Sequence, residues 1–120
     1  MKDTIASIAS LGSIGMIRIS GPSSLNILSE IFISKNKLQD HTIRYGKILK
    51  DDKEVDEVIV SFMKSPNSYT REDVIEIYFH GNRIIADNIL KLILSKGARL
   101  AEKGEFTKRA FLNGRIDLTQ

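Results

Sequence analysis

The heptapeptide VIEIYFH, residues 74–80, constrains the fold more than any other stretch of the chain. Successive side chains of a strand leave opposite faces, so Val74, Glu76 and Tyr78 share one side and Ile75, Ile77 and Phe79 the other. The segment reads as a strand with one face on a core and the other, bearing Glu76, toward solvent or a cleft. MIRIS at 16–20 repeats the arrangement, with Met16, Arg18 and Ser20 on one face and Ile17 and Ile19 on the other.

Around these two segments the order of elements follows. TIASIAS at 4–10 is rich in β-branched residues and predicts a strand, and LGSIG at 11–15 a glycine-bearing turn before MIRIS. SGP at 20–22 is a strand-to-helix junction with Pro22 suited to the first helical position, followed by a helical stripe of Leu25, Leu28, Ile31 and Phe32. Residues 33–42 read as polar loop. RYGKILK and VDEVIVSFMK predict two strands joined by the charged hairpin DDKE, and SPNSYTRED predicts a long turn. Residues 83–96 give the strongest helix, through Ile85, Ile89, Leu92 and Ile93, with Lys91 and Lys96 in its C-terminal half and Gly97 as its stop. ARLA suggests a short last strand, and 105–113 a helix through Phe106, Ala110 and Phe111. The order β-β-α-β-β-β-α-β-α implies an α+β fold: a mixed, mostly antiparallel sheet with two to three helices on one face, not a doubly wound sheet. After Gly114, the run from Asp117 to Gln120 has the form of a helix opening, Asp capping and Gln reaching back.

A chain of 120 residues makes one domain with a sizeable core. The net charge of +3 is a mild basic excess, compatible with an ordinary surface or with some Lys and Arg facing an anion. The absence of cysteine excludes disulfides and thiolate metal sites. Asp3 and the interrupting Ser7, Ser10, Gly12 and Ser13 do not fit a signal peptide, and no run reaches the ~18 apolar residues of a membrane helix. A cytoplasmic protein without membrane contact is expected.

Chemistry is sparse. The chain has no G-x-x-x-x-G-K-[ST] phosphate loop, no H-E-x-x-H and no metal-spaced carboxylate–histidine cluster, so neither a metal site nor a catalytic group is assigned. His41 lies in a polar loop, where solvation is expected, and His80 ends a strand, where a turn or capping role is expected. Glu76 is either the wet side of a sheet or a cleft carboxylate able to accept two N–H donors from an amidine-like edge. Arg18 is either a sheet-surface ion pair or a bidentate anion site. Lys103, Lys108, Arg109 and Arg115 surround a short helix, as a solvated face or as an anion or weak nucleic-acid footprint.

Four blocks, DTIASIAS, GMIRISGP, PNSYTREDVIEIYFHG and GEFTKRAFLNGRIDLTQ, closely resemble the N-terminal domain of the MnmE (TrmE) family of tRNA-modification GTPases. They occur in the family's order and cover nearly the whole chain. In the last block, which the family extends at both ends, only Lys103 for Pro and Ile116 for Leu depart. The resemblance implies that residues 1–116 form the family's folate-binding and dimerisation domain, with a fold similar to the folate-binding part of aminomethyltransferases. Residues 117–120 would begin the helical domain into which a GTPase domain is inserted. It further implies a homodimer that modifies the wobble uridine of tRNA together with MnmG (GidA). GTP, Mg and K would belong to the GTPase domain, so this chain alone should not hydrolyse GTP. The implied cofactor is a formyl- or methylene-tetrahydrofolate, contacted by Arg18 of RISG, Glu76 of EDVIE and Arg115 after FLNG. Glu76 would accept the pterin 2-amino group and ring N–H, and Arg18 or Arg115 would hold the anionic tail.

Two departures bear on that site. SLGSIGMIRISG is shorter than the family's glycine- and arginine-rich loop near the folate region and the dimer contacts. FHGN replaces GHGG, which places Phe79 where backbone or ligand usually passes and substitutes Asn82 for a glycine. Two rival readings follow: a basic tRNA-binding module, and a dimerisation domain whose folate pocket has decayed.

Overall fold

The computed structural model describes residues 3–114. Its elements are β1 (Ile5–Ser10), β2 (Ile14–Ser20), α1 (Ser24–Ser29), β3 (Phe32–Ser34), β4 (Thr42–Lys50), β5 (Lys53–Met63), β6 (Val74–His80), α2 (Arg83–Ser95), β7 (Arg99–Leu100) and α3 (Glu105–Leu112). The seven strands form one sheet in the order β3-β4-β5-β6-β2-β1-β7. Neighbours run antiparallel except β1 and β7, which are parallel and make the sheet mixed. The expected α+β architecture is therefore the one observed.

The sheet has two unlike faces. Ile17 and Ile19 of β2, Ile75, Ile77 and Phe79 of β6, and Val58, Val60 and Phe62 of β5 are buried on one of them. Against them pack Ala86, Ile89, Leu92 and Ile93 of α2 and Ile27 and Leu28 of α1, in a single apolar core. Fully burying an Ile or Leu side chain contributes about 1.5–3 kcal/mol, so this face supplies most of the driving force. The start of α2 is fixed by Asn82, whose side chain accepts from Ile84 N at 2.7 Å and Ile85 N at 3.2 Å.

Several local expectations are corrected. α1 begins at Ser24, with Pro22 in the turn before it, not at the first helical position. It ends at Ser29, so Ile31 and Phe32 lie beyond it, and Phe32 opens a strand. Part of the stretch read as loop after residue 32 is therefore β3, which pairs with β4 opposite Gly46. A Cβ at Gly46 would come within 2.2 Å of the Ile33 carbonyl oxygen, so the glycine is what lets this edge strand approach. β2 starts at Ile14, inside the segment read as turn. β4 and β5 meet in a tighter hairpin than DDKE, with Asp51 and Asp52 both at positive φ (50° and 65°). That is the twist a two-residue primed turn requires.

The larger correction concerns α3. The helices do not all sit on one face: α1 and α2 cover the isoleucine face, whereas α3 reaches the opposite one. It is held there by Arg109, which is not part of a solvated basic face but only 2% exposed. Its Nη1 donates to the Asp3 carbonyl oxygen at 2.8 Å and to both Glu72 oxygens at 3.1 and 3.2 Å. Its Nη2 donates to Asp3 Oδ1 at 2.6 Å and lies 3.6 Å from Glu105 Oε2. Glu72 also accepts from Ser20 Oγ at 2.7 Å, which ties the network to the end of β2. Arg99 adds a second cation, bonding Asp3 at 2.6 Å and Glu105 at 2.6 Å. The Arg99 guanidinium, and then that of Arg109, hold the Asp3 carboxyl down at about 2. Arg99 likewise holds Glu105 below the ordinary carboxylate range.

A buried cation and the carboxylates around it are costly to separate, so Arg109→Ala should lower stability by about 2–4 kcal/mol, read by urea unfolding. Asp3 and Glu105 titrate lower in the folded than in the unfolded state. Their contribution is complete above the unfolded values near pH 4 and is lost as pH falls toward 2. Melting measured between pH 5 and pH 2 should show a steeper loss for the wild type than for Asp3→Asn.

Candidate functional site

The face of the sheet away from α1 and α2 carries the charged residues singled out above. Strand register sets one row across it: Ser61 of β5, Glu76 of β6, Arg18 of β2 and Ser7 of β1 lie directly opposite one another in turn. Cross-strand neighbours sit about 5 Å apart, within reach of a direct ion pair. Arg18 Nε donates to Glu76 Oε2 at 2.9 Å, with both side chains about one-fifth exposed. The two site residues that the structure describes are thus brought together, and Arg115, the third, lies outside the described residues, as does the expected helix start at Asp117.

Glu76 has a second partner. Tyr78, two residues along the same strand face, donates its hydroxyl to Glu76 Oε1 at 2.7 Å. Burial, and then the hydrogen bond to this carboxylate, push the Tyr78 hydroxyl up to about 12, so it stays a donor at any physiological pH. Each carboxylate oxygen of Glu76 therefore holds one donor and keeps a lone pair for another.

Arg18 is positioned from its other side by two aromatic rings. Its guanidinium carbon lies 5.5 Å from the Tyr69 ring centre and 5.3 Å from that of Phe106, both within cation–π range. Tyr69 comes from the turn before β6 and Phe106 from the first turn of α3. Their elements are joined by a 3.0 Å hydrogen bond between the Tyr69 hydroxyl and Thr107 Oγ1. With Ser7, Ala9 and Gly104, these residues enclose a hollow of about 350 Å³. With Nε committed to Glu76, the two terminal nitrogens of Arg18 have no hydrogen-bond partner among the described residues. The site thus offers guanidinium donors beside carboxylate acceptors, a pairing that suits a ligand edge carrying both an acceptor and N–H donors.

Tyr69, Phe106 and Thr107 were not singled out from sequence as site residues. Phe106 lies 88 positions from Arg18 in the chain, and only the burial of Arg109 on α3 brings the two into contact. Phe79 is corrected in the other direction. It is 4% exposed on the isoleucine face, opposite Glu76, where its ring covers Gly15 of β2. A Cβ at Gly15 would come within 2.5 Å of that ring. Phe79 fills core space and does not crowd the Arg18–Glu76 hollow. His80 takes the turn role expected of it, its carbonyl oxygen accepting from Asn82 N at 2.6 Å between β6 and α2, and its ring bonds Asp56 at 2.9 Å. Among the described residues no cluster of three or more potential metal ligands occurs, and no helix is long and apolar enough to cross a membrane.

The family described as "GTP-binding protein TrmE N-terminus" matches residues 4–115. The chain is 54% identical to the tRNA modification GTPase MnmE of Lactiplantibacillus plantarum, over 98% of this chain and 27% of that protein. It is 53% identical to the MnmE of Thermoanaerobacter pseudethanolicus, over 98% and 28%. It is 52% identical to that of Streptococcus mutans, over 98% and 27%. The chain thus spans little more than a quarter of the length of these curated relatives. With the family matched over nearly every residue, from Thr4 in front of β1 to the end of α3, the chain belongs to the TrmE N-terminus family.

Proposed function

We propose that this chain is the tetrahydrofolate-binding and homodimerisation domain of a cytoplasmic GTPase that modifies the wobble uridine of tRNA together with MnmG (GidA). The observation that carries the folate part of this reading is the Arg18–Glu76 pair, with guanidinium donors and carboxylate acceptors side by side on adjacent strands. A pterin presents a carbonyl acceptor, a ring N–H and an amino group along one edge. Arg18 matches the first of these and Glu76 the other two. Tyr78 holds the Glu76 carboxylate in place, and Tyr69 and Phe106 hold Arg18, so the ligand meets groups that lose little freedom on binding. Arg115 is left to the anionic tail of the folate. When bound, the tetrahydrofolate would supply a one-carbon unit; the protein's share is to recognise and orient its carrier.

Homodimerisation is supported by the rest of the same face. Ile33, Ile43, Tyr45, Ile59 and Ile14 lie on it across β3, β4, β5 and β2, and all are exposed. An apolar sheet face of this kind calls for a covering partner, and a second copy meets that need. The rival reading as a basic tRNA-binding module loses its main support. Of its cluster Lys103, Lys108, Arg109 and Arg115, Arg109 is buried, which leaves Lys103 and Lys108 as its exposed cations among the described residues, and Arg115 lies outside them. The decayed-pocket reading loses the obstruction attributed to Phe79.

Calorimetry with 5-formyltetrahydrofolate tests the proposal. The wild-type chain should bind, and Glu76→Ala should bind about 10- to 100-fold more weakly, the loss expected for hydrogen bonds to a charged group. Equal affinity in the variant, or no binding by the wild type, would refute the site.

A further inference from the structure

The turn that leads into β6 runs alongside α3. The Tyr69 hydroxyl meets Thr107 Oγ1 at 3.0 Å, and the Thr70 carbonyl oxygen accepts from Asn113 Nδ2 at 2.8 Å. Arg71 comes next: a Cβ at Gly114 would lie 3.9 Å from its Nη1, an ordinary contact. Turn and helix thus form the two walls of a track. It begins at the hollow beside Arg18, which Tyr69 and Thr107 line, and ends beyond that hollow at Arg71 and Gly114. At 1.5 Å per residue, Thr107 and Gly114 are about 10 Å apart along α3.

Arg71 is an unusual residue for its place. Its φ is 62°, in the left-handed region, where glycine sits without strain and a long side chain does not. Its backbone is fixed from both sides: the N–H donates to the Ser68 carbonyl oxygen at 3.3 Å, and its own carbonyl oxygen accepts from Ser65 Oγ at 2.8 Å. The side chain has no such anchor. Arg71 is exposed, and among the described residues its guanidinium has no hydrogen-bond or ion-pair partner. The carboxylates next to it in sequence are engaged elsewhere: Glu72 holds Arg109, and Asp73 accepts from the Ser65 N–H at 2.8 Å. A strained backbone therefore presents an unpaired guanidinium at the far end of the track, where a carboxylate could take its paired N–H donors.

We propose that Arg71 binds the glutamyl tail of the folate, taking one of its two carboxylates while Arg115, which follows Gly114 in the chain, takes the other. This inference rests on the folate reading above. With the pterin edge on Glu76 and Arg18, the aminobenzoyl unit runs past Tyr69 and Thr107, and with its linking amide it spans the track of about 10 Å. The tail then emerges beside Arg71. Its two negative charges favour a place with cations to spare, whereas the Arg18–Glu76 pair is neutral as a unit.

Calorimetry at low ionic strength compares 5-formyltetrahydrofolate with 5-formyltetrahydropteroate, which ends at the benzoate and stops short of Arg71. Arg71→Gln should weaken binding of the first by about three- to fivefold, the worth of a well-placed exposed ion pair, and leave the second within about twofold. Added salt should shrink the loss. Arg71→Gly, which relieves the positive φ, should melt no lower than the wild type and show the same loss, a result that a purely structural role would not give. Unchanged affinity for 5-formyltetrahydrofolate in both variants, or an equal loss for the two ligands, overturns the proposal; if Glu76→Ala still loses affinity, the folate reading survives. A wild type that binds neither ligand overturns both.

Discussion

One buried guanidinium decides where the last helix of this domain goes. Arg109 gathers the Asp3 backbone and side chain ahead of β1, Glu72 ahead of β6 and Glu105 at the start of α3 around a single charge. Arg109 is buried and Glu72 nearly so, and losing either leaves the other charge short of a partner away from water, so the arrangement is held together by the cost of breaking it. Without it, α3 would have little reason to leave the isoleucine face, since its apolar stripe is short and Phe111 and Leu112 remain exposed. With it, Phe106 and Thr107 arrive beside Arg18 and Tyr69, and a plain sheet surface becomes an enclosed site.

The sheet divides labour between its two faces. One is a continuous isoleucine and valine surface sealed by α1 and α2, which carries the stability of the domain. The other keeps Arg18 and Glu76 paired in the middle of adjacent strands, where register fixes their separation. Rigid strands are a precise place for such a pair, because neither partner can drift without breaking the ladder. The aromatic contacts to Arg18 and the Tyr78 hydroxyl on Glu76 narrow the remaining rotamer freedom. The result is a donor–acceptor edge ready to meet a complementary one.

Alternation made the central strands legible: VIEIYFH and MIRIS each announced an apolar and a charged face, and both appear as read. The long helix was equally plain from its period, and its cap, Asn82, is a residue type that marks helix starts. What escaped was non-local. The three-residue strand β3 has too few positions for a pattern and depends on Gly46 of another strand to let it approach. Arg109 looked like one of several surface cations, because nothing in GEFTKRAFLNGR says which charge turns inward; its carboxylate partners at positions 3 and 72 are far away in sequence. Phe79 drew suspicion only by comparison with a glycine, although its place in the strand alternation already put it opposite Glu76.

The chain spans little more than a quarter of the length of the curated relatives it matches. The central claim is that the Arg18–Glu76 pair reads a pterin edge. A crystal structure of the chain with 5-formyltetrahydrofolate tests it most directly. The account predicts the amino edge of the ring on the Glu76 carboxylate with a terminal nitrogen of Arg18 on the neighbouring carbonyl. Density for the ligand anywhere else, with the ion pair untouched, would contradict it.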